Sequence, residues 1–439
     1  MKHLIIFVFL TLSVITISCG VKLNKLKHNV NHYNVRLNIF PENRYLEVKG
    51  KLIYISPEPL CDSAIFYLHK QFNIKSVSGK DVAGYKFYTS PDSSLITNPD
   101  ARILHIYFNR MLNKGEQSEL EFEYSGEISE IHNLSQNTVT KEWTEIGFDL
   151  PWYPYNKRHG EFTFDLQVNC TNGYIVGASG QFINNDTAFN FNSENPVNDI
   201  TVIISKKLKE INTEEKDFTI SLYYSDISDS AAKDINNNLN WIMRNLANRF
   251  GEDGGKNLTV LQSMRDIGGS YSNLGMISLS QLYDSTYYEN SIKYFMRLSH
   301  GAAKLWWWQA AHDWNDWMNE GFAEFSALLL VKEKFGENIF RKILIEKEDS
   351  LAGLPPVWMF NREHLYDKKL FNDANKIMNV KIPVLLFHLY KKIGSENFYK
   401  LCREMITNDV SSTIIFLRLL EQREGRATAE WFEDRLRNF

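Results

Sequence analysis

Between Asn31 and Ser205, apolar residues alternate with polar ones. Tyr33, Val35, Leu37 and Ile39 do so, as do Leu46 and Val48 and, beyond Gly50, Leu52 and Tyr54. Leu120, Phe122 and Tyr124 are separated by Glu, and Phe162, Phe164, Leu166 and Val168 repeat the same period of two. Successive side chains of a strand point to opposite faces, so this pattern predicts half-buried antiparallel strands, broken by clusters of Gly, Pro, Asn and Asp. After about Leu208 the period changes. Two strand-like stretches, Phe218 to Tyr224 and Leu258 to Gln262, flank a helical run near Ala231 to Phe250, and from Glu289 onward nearly every segment reads as helix. Met318, Phe322, Phe325 and Leu329 recur at the spacing of one helical face. The expected fold is α+β: an N-terminal antiparallel β-sandwich or saddle domain, then a mainly helical domain, with any cleft at their junction.

A net charge of −4 and the lack of any basic block leave no electrostatic case for nucleic acid. The first residues say more. Met1-Lys2-His3 is followed by an apolar run from Leu4 to Ile17 and then by Ser18-Cys19-Gly20. A short basic start and an apolar run too short to span a bilayer describe an export signal over residues 1–19. Cys directly after a small residue resembles the bacterial lipoprotein box, with Thr16 standing where an aliphatic residue is usual. The expectation is lipidation at Cys19 and attachment to a cell-envelope membrane; the alternative is a plain signal peptide with an incidental Cys. The remaining Cys61, Cys170 and Cys402 lack Cys-x-x-Cys spacing, which argues against a cysteine metal cluster. One disulfide or three buried thiols both stay open.

The chemistry concentrates in His300 to Phe325, HGAAKLWWWQAAHDWNDWMNEGFAEF. A metallopeptidase site on two adjacent helices needs two His one turn apart, a Glu between them as general base, and an acidic ligand from the next helix. His300 stands where the first His would, and Glu320 sits in an Asn-Glu-Gly opening the next helical run. Gly301 holds the base position and has no group to accept a proton. Lys304 shares a helical face with His300, but an ammonium has no lone pair for a metal.

These residues resemble the M1 (gluzincin) aminopeptidase family, whose signature is His-Glu-x-x-His, eighteen residues, then Glu in an Asn-Glu-Gly context. Trp317 to Glu324 is similar to the family's segment around the third ligand. Trp152-Tyr153-Pro154 and Phe162 to Gly180 resemble the end of its N-terminal β domain. Gly269 to Ile277 resembles its Gly-Ala-Met-Glu-Asn-Trp-Gly strand, and Lys381-Ile382-Pro383 with Gly394 to Phe398 the helix pair after its catalytic Tyr. The resemblance implies a β domain over 20–205 and a thermolysin-like domain over 206–439, without the family's large C-terminal helical domain. It also implies that His300 and Glu320 are remnant zinc ligands, and that Ser272, Asn273 and Gly275 are remnants of the strand that anchors a substrate amine. Ser272 corresponds to the anchoring Glu, and Asn379 to the catalytic Tyr. Fifteen residues, three fewer than in the family, separate Lys304 from Glu320.

Losing base, ligand, amine anchor and oxyanion donor together reads as a pseudopeptidase with no cofactor expected. Its former substrate groove is expected to bind a peptide or protein partner. Two alternatives stand beside it: an active zinc aminopeptidase whose ligand set is rebuilt from His300, His312 and Glu320, and an assembly subunit with no groove ligand. Lys304 facing Glu320 is expected to form an ion pair in the space of the metal, and the five Trp between 306 and 317 are expected to pack rather than bind ligand.

Overall fold

The computed structural model describes residues 30–91, 98–131, 137–156, 159–184, 188–251, 257–265, 269–360 and 371–439. The export signal expected over 1–19, with Cys19, lies outside them.

The alternating stretches build a seven-stranded sheet in the order Gln181–Asn184, Phe189–Val197, Phe162–Cys170, Asn31–Phe40, Tyr45–Ile55, Gln117–Glu127 and Asn73–Ser78. Asn31–Phe40 runs antiparallel to Tyr45–Ile55 but parallel to Phe162–Cys170. The parallel pair departs from the all-antiparallel expectation. Its strands are joined by a long excursion through other strands, so no hairpin dictates their direction. A three-stranded sheet (Cys61–His69, Ala101–Leu112, Val82–Phe87) and a four-stranded one (Ile175–Ala178, Val202–Ser205, Thr144–Ile146, Thr138–Val139) complete this half. Their apolar faces share one core with the large sheet: Leu37, Val48, Phe122 and Leu166 pack in the same cluster as Phe66, Leu104 and Val202. Each residue named for its period-two pattern is buried.

The second half opens with a five-stranded sheet, ordered Lys209–Glu214, Thr219–Tyr224, Asn257–Ser263, Met276–Ser280, Tyr271–Asn273. Its second and third strands are parallel neighbours. They are joined through helix α1 (Asp229–Phe250), which Ser228 caps by accepting the Ala231 N–H on its hydroxyl. Tyr271–Asn273 forms the sheet edge and turns tightly into Met276–Ser280 through Gly275, whose φ of +76° suits glycine. Helices α2 (Asp284–Glu289), α3 (Ser291–Ala303), α4 (Trp317–Phe335), α5 (Glu337–Asp349), α6 (Phe371–Lys376), α7 (Ile382–Ile393), α8 (Ser395–Thr407), α9 (Thr413–Glu424) and α10 (Arg426–Asn438) follow, with a π-helical turn at Ile377–Lys381. Among the described residues no helix is long and apolar enough to cross a membrane.

One stretch read as helix is not. The chain leaves α3 at Ala303 and makes only a short 3₁₀ turn at Trp314–Asp316 before α4. Within it, Trp306 and Trp307 are buried, their indole N–H groups donating to the Gly251 carbonyl and the Ser326 hydroxyl. Trp307 also stacks on Phe322 with ring centroids 4.7 Å apart. These rings are core, and their burial holds an irregular segment in place of helical hydrogen bonds. Cys61, Cys170 and Cys402 are free thiols.

The halves meet at a small apolar cluster in which Trp143 and Ile203 pack against Tyr223, Leu261 and Met276. Beside it lies a buried polar knot. Glu145, fully buried, accepts from the Ser263 and Ser278 hydroxyls and the Trp143 indole, with Arg265 3.6 Å away. Burial pushes the Glu145 carboxyl above its ordinary range, and it raises Asp199 to about 6.

Candidate functional site

Two helices place the site. α3 buries Tyr294, Phe295, Leu298 and Ala302 against the core, which turns His300 toward α4 near its own C-terminal end. Asp313 caps the 3₁₀ turn that leads into α4 by accepting the Asn315 N–H, and Asn319 ties the preceding loop down, exchanging two hydrogen bonds with the backbone of Ala310. Glu320 therefore falls in the first turn of α4, where the helix dipole favours a carboxylate. Gly321 lets α4 lie close on α7: a Cβ there would sit 2.1 Å from Ile382 Cγ2. The Asn-Glu-Gly segment thus has packing reasons to persist, whatever becomes of any metal chemistry.

The side chains form a continuous line of charges. Lys304 Nζ lies 2.9 Å from Glu320 Oε1 and donates to the Ser272 carbonyl at 3.4 Å. His300 bridges two carboxylates, with Nε2 3.2 Å from Glu320 Oε2 and Nδ1 2.9 Å from Glu324 Oε2. Glu324 is held at its other oxygen by Lys347 of α5, 2.9 Å away, and Lys347 also donates to the Asn379 carbonyl in the π-helical turn. All five side chains are at most 14% exposed, so these pairs are little screened by water.

Burial alone would lower the His300 pKa, but the bonds to Glu320 and Glu324 outweigh it and leave it raised. Burial would raise Glu324, yet Lys347 and His300 prevail and hold it down at about 2. The two shifts give opposite pH limits. Because His300 binds its proton more tightly when folded, its contribution is present below about pH 6.5, its value in the unfolded chain, and is lost as pH rises through the raised value. Glu324 contributes above its ordinary value near 4.5 and loses that contribution as pH falls toward about 2. His300→Gln should therefore flatten the decline in stability on the alkaline side, as measured by urea unfolding from pH 6 to 9. An unchanged slope would count against the bridge.

The candidate residues fall into two groups. His300, Glu320, Ser272 and Asn379 line one cleft of about 930 Å³ between α3, α5 and the sheet edge, with Lys304 at its floor bonded to Ser272 and Glu320. Gly301 backs onto it, and the space a side chain would need there is taken by Ile277, whose Cγ1 lies 2.5 Å from an ideal Cβ. The others point elsewhere. Asn273 reaches the interdomain knot, donating to Asp199 at 3.3 Å, and Gly275 shapes the hairpin turn. His312 pairs with Asp316 at 2.9 Å, lies 3.9 Å from Glu161 and packs on the Trp308 ring. It does not join His300.

Glu324 and Lys347 were not singled out from the sequence. Glu324 carries a faint signal, one helical turn after Glu320 on the same face. Lys347 carries none, being one of several lysines 23 residues away on a different helix.

The family resemblance of the sequence implies zinc, and the residues at these positions do not fit it. A catalytic zinc needs three side chains with lone pairs plus water. One position holds an ammonium, and both nitrogens of His300 face carboxylates. Among the described residues, no group of three or more His, Cys, Asp or Glu side chains is arranged to hold a metal ion.

The whole chain resembles solved M1 zinc metallopeptidases. The M1 zinc metallopeptidase of Deinococcus radiodurans is 16% identical, with a TM-score of 0.68 over 93% of this chain and 94% of that one. A mutant of it bound to a Tyr-Ser-Ala substrate is 17% identical, with a TM-score of 0.67 and the same coverage. A two-domain M1 zinc metallopeptidase mutant bound to L-arginine is 16% identical with a TM-score of 0.70, again with that coverage. No protein-family model matches the sequence, and no curated protein matches it. The chain thus has an M1 aminopeptidase-like fold, a multi-sheet β domain followed by a helical domain.

Proposed function

We propose that this protein is a pseudopeptidase: an M1-type scaffold that no longer cleaves peptides and whose cleft binds a peptide or protein partner. The observation that carries this reading is the Lys304 ammonium, 2.9 Å from Glu320 and inside the former ligand set. Gly301 reinforces it, since it offers no general base and its side-chain space is filled by Ile277. The persistence of a cleft of about 930 Å³ favours a bound ligand over an assembly subunit with a filled groove.

Purified protein, stripped with chelator and then incubated with zinc, should retain well below one equivalent of metal. It should release no N-terminal residues from a mixture of aminoacyl fluorogenic substrates. Stoichiometric zinc that is lost on His300→Ala, together with residue release, would replace this reading with an active aminopeptidase.

The proposal includes an envelope location through a lipid on Cys19, supported by the export-type segment before it. Wild-type protein should partition into detergent and carry an acylated Cys19 by mass spectrometry, and Cys19→Ser should stay aqueous. Equal partitioning of the two would remove the anchor.

A further inference from the structure

The cleft of about 930 Å³ holds its charges in two different states. Its two deep carboxylates, Glu320 and Glu324, are each already held by a lysine and by His300. A cationic ligand group arriving at that depth meets no carboxylate left to pair with, and Ser272 beside them is neutral. The basic residues of the wall are in a different state. Arg297, half-buried on α3, lines the cleft and donates through Nη1 to the Ser270 hydroxyl at 2.7 Å, with the Tyr294 ring 5.9 Å from its guanidinium. Among the described residues no carboxylate comes within ion-pair distance of it. Lys293 lies one turn earlier on the same helical face, and Lys342 lines the cleft from α5. The wall also carries Glu289 and Glu346, exposed like Lys293 and Lys342, so these four opposing charges are screened and weakly felt, and the half-buried Arg297 is the cation that stands out. Ile292, Met296 and Ile343 place apolar surface next to the cations.

We propose that this cleft selects peptide segments bearing a carboxylate next to apolar residues, and that Arg297 takes the carboxylate. The inference rests on the groove-binding reading above and names its ligand class. A guanidinium pinned at one nitrogen by Ser270 keeps its other N–H groups for a carboxylate and loses little freedom on binding. The carboxylate can come from an acidic side chain or from a chain terminus; the recognition chemistry is the same.

Fluorescence anisotropy tests this with four labelled peptides of one Ala, Leu and Ser background. Three are amidated at the C-terminus and carry two Glu, two Gln or two Lys; the fourth is the Gln peptide with a free C-terminal carboxylate. The Glu peptide should bind roughly tenfold more tightly than its amidated Gln counterpart, the order expected of a hydrogen bond between charged groups, and the Lys peptide most weakly. A gain for the free-terminus peptide equal to that of the Glu peptide assigns the source to a chain end, and a gain for Glu alone assigns it to a side chain. Arg297→Gln should erase most of the preference and Arg297→Lys should keep part of it. Lys293→Gln, at an exposed position where charge is screened, should leave it nearly unchanged. Equal binding of all four peptides, or tighter binding of the Lys peptide, overturns the inference and leaves groove binding intact. Failure of every peptide to bind overturns both.

Discussion

Lys304→Met will destabilise the protein by about 3–5 kcal/mol, the range for removing one member of a buried ion pair. The loss arises less from the missing attraction than from what remains: Glu320 left at the cleft floor with His300 as its charged neighbour, beside a Glu324 that shares the same imidazole. Lys304→Glu will be worse, placing three carboxylates around one histidine. Replacing both partners, as in Lys304→Met with Glu320→Gln, should recover most of the loss, because neither charge is then stranded. Urea unfolding of the two single variants and the double variant closes the thermodynamic cycle. Additive losses would mean that the pair does not hold α3 and α4 together.

The second large effect concerns restoring the catalytic pattern. Gly301→Glu with Lys304→His rewrites the segment as His-Glu-x-x-His, yet it will yield a less stable protein and no peptidase. A Cβ at position 301 falls 2.5 Å from Ile277 Cγ1 and 3.3 Å from Ser272 Cβ, so the strand carrying Ile277 must give way. Overpacking of this kind costs about 1–3 kcal/mol, to which the unpaired new carboxylate adds. Adding Ile277→Ala opens the space and should return part of the stability without activity. A Gly301→Glu variant as stable as the parent, with Ile277→Ala giving no rescue, would show that the pocket behind Gly301 is not closed.

Much of the site was readable along the chain because its members lie within a few turns of one another. His300 and Lys304 share a face by helical spacing, and the Asn-Glu-Gly marks the start of the next helix. From there the electrostatics of an ammonium beside a carboxylate follow. The prediction that residues from Glu289 onward are nearly all helix fails at Lys304–Asp313. Trp306, Trp307 and Asn319 stabilise an irregular segment there through contacts with Gly251, Ser326 and Ala310. Apolar periodicity sees burial but not the partner that supplies it.

The sequence by itself determined the class of most elements and which side chains stand at the candidate site. Period two and period 3.6 arise from backbone geometry within a few residues, and an absent lone pair or carboxylate is a property of a single side chain. Only the tertiary structure decided how the remaining charges are satisfied. It brought Lys347 to Glu324 across 23 residues, set Ile277 into the space a side chain at 301 would need, and left Arg297 lining the cleft with no carboxylate within ion-pair distance among the described residues. Those outcomes depend on how helices cross and which strand lies at a sheet edge. Such arrangements come from the packing of the whole core, and no local pattern encodes them.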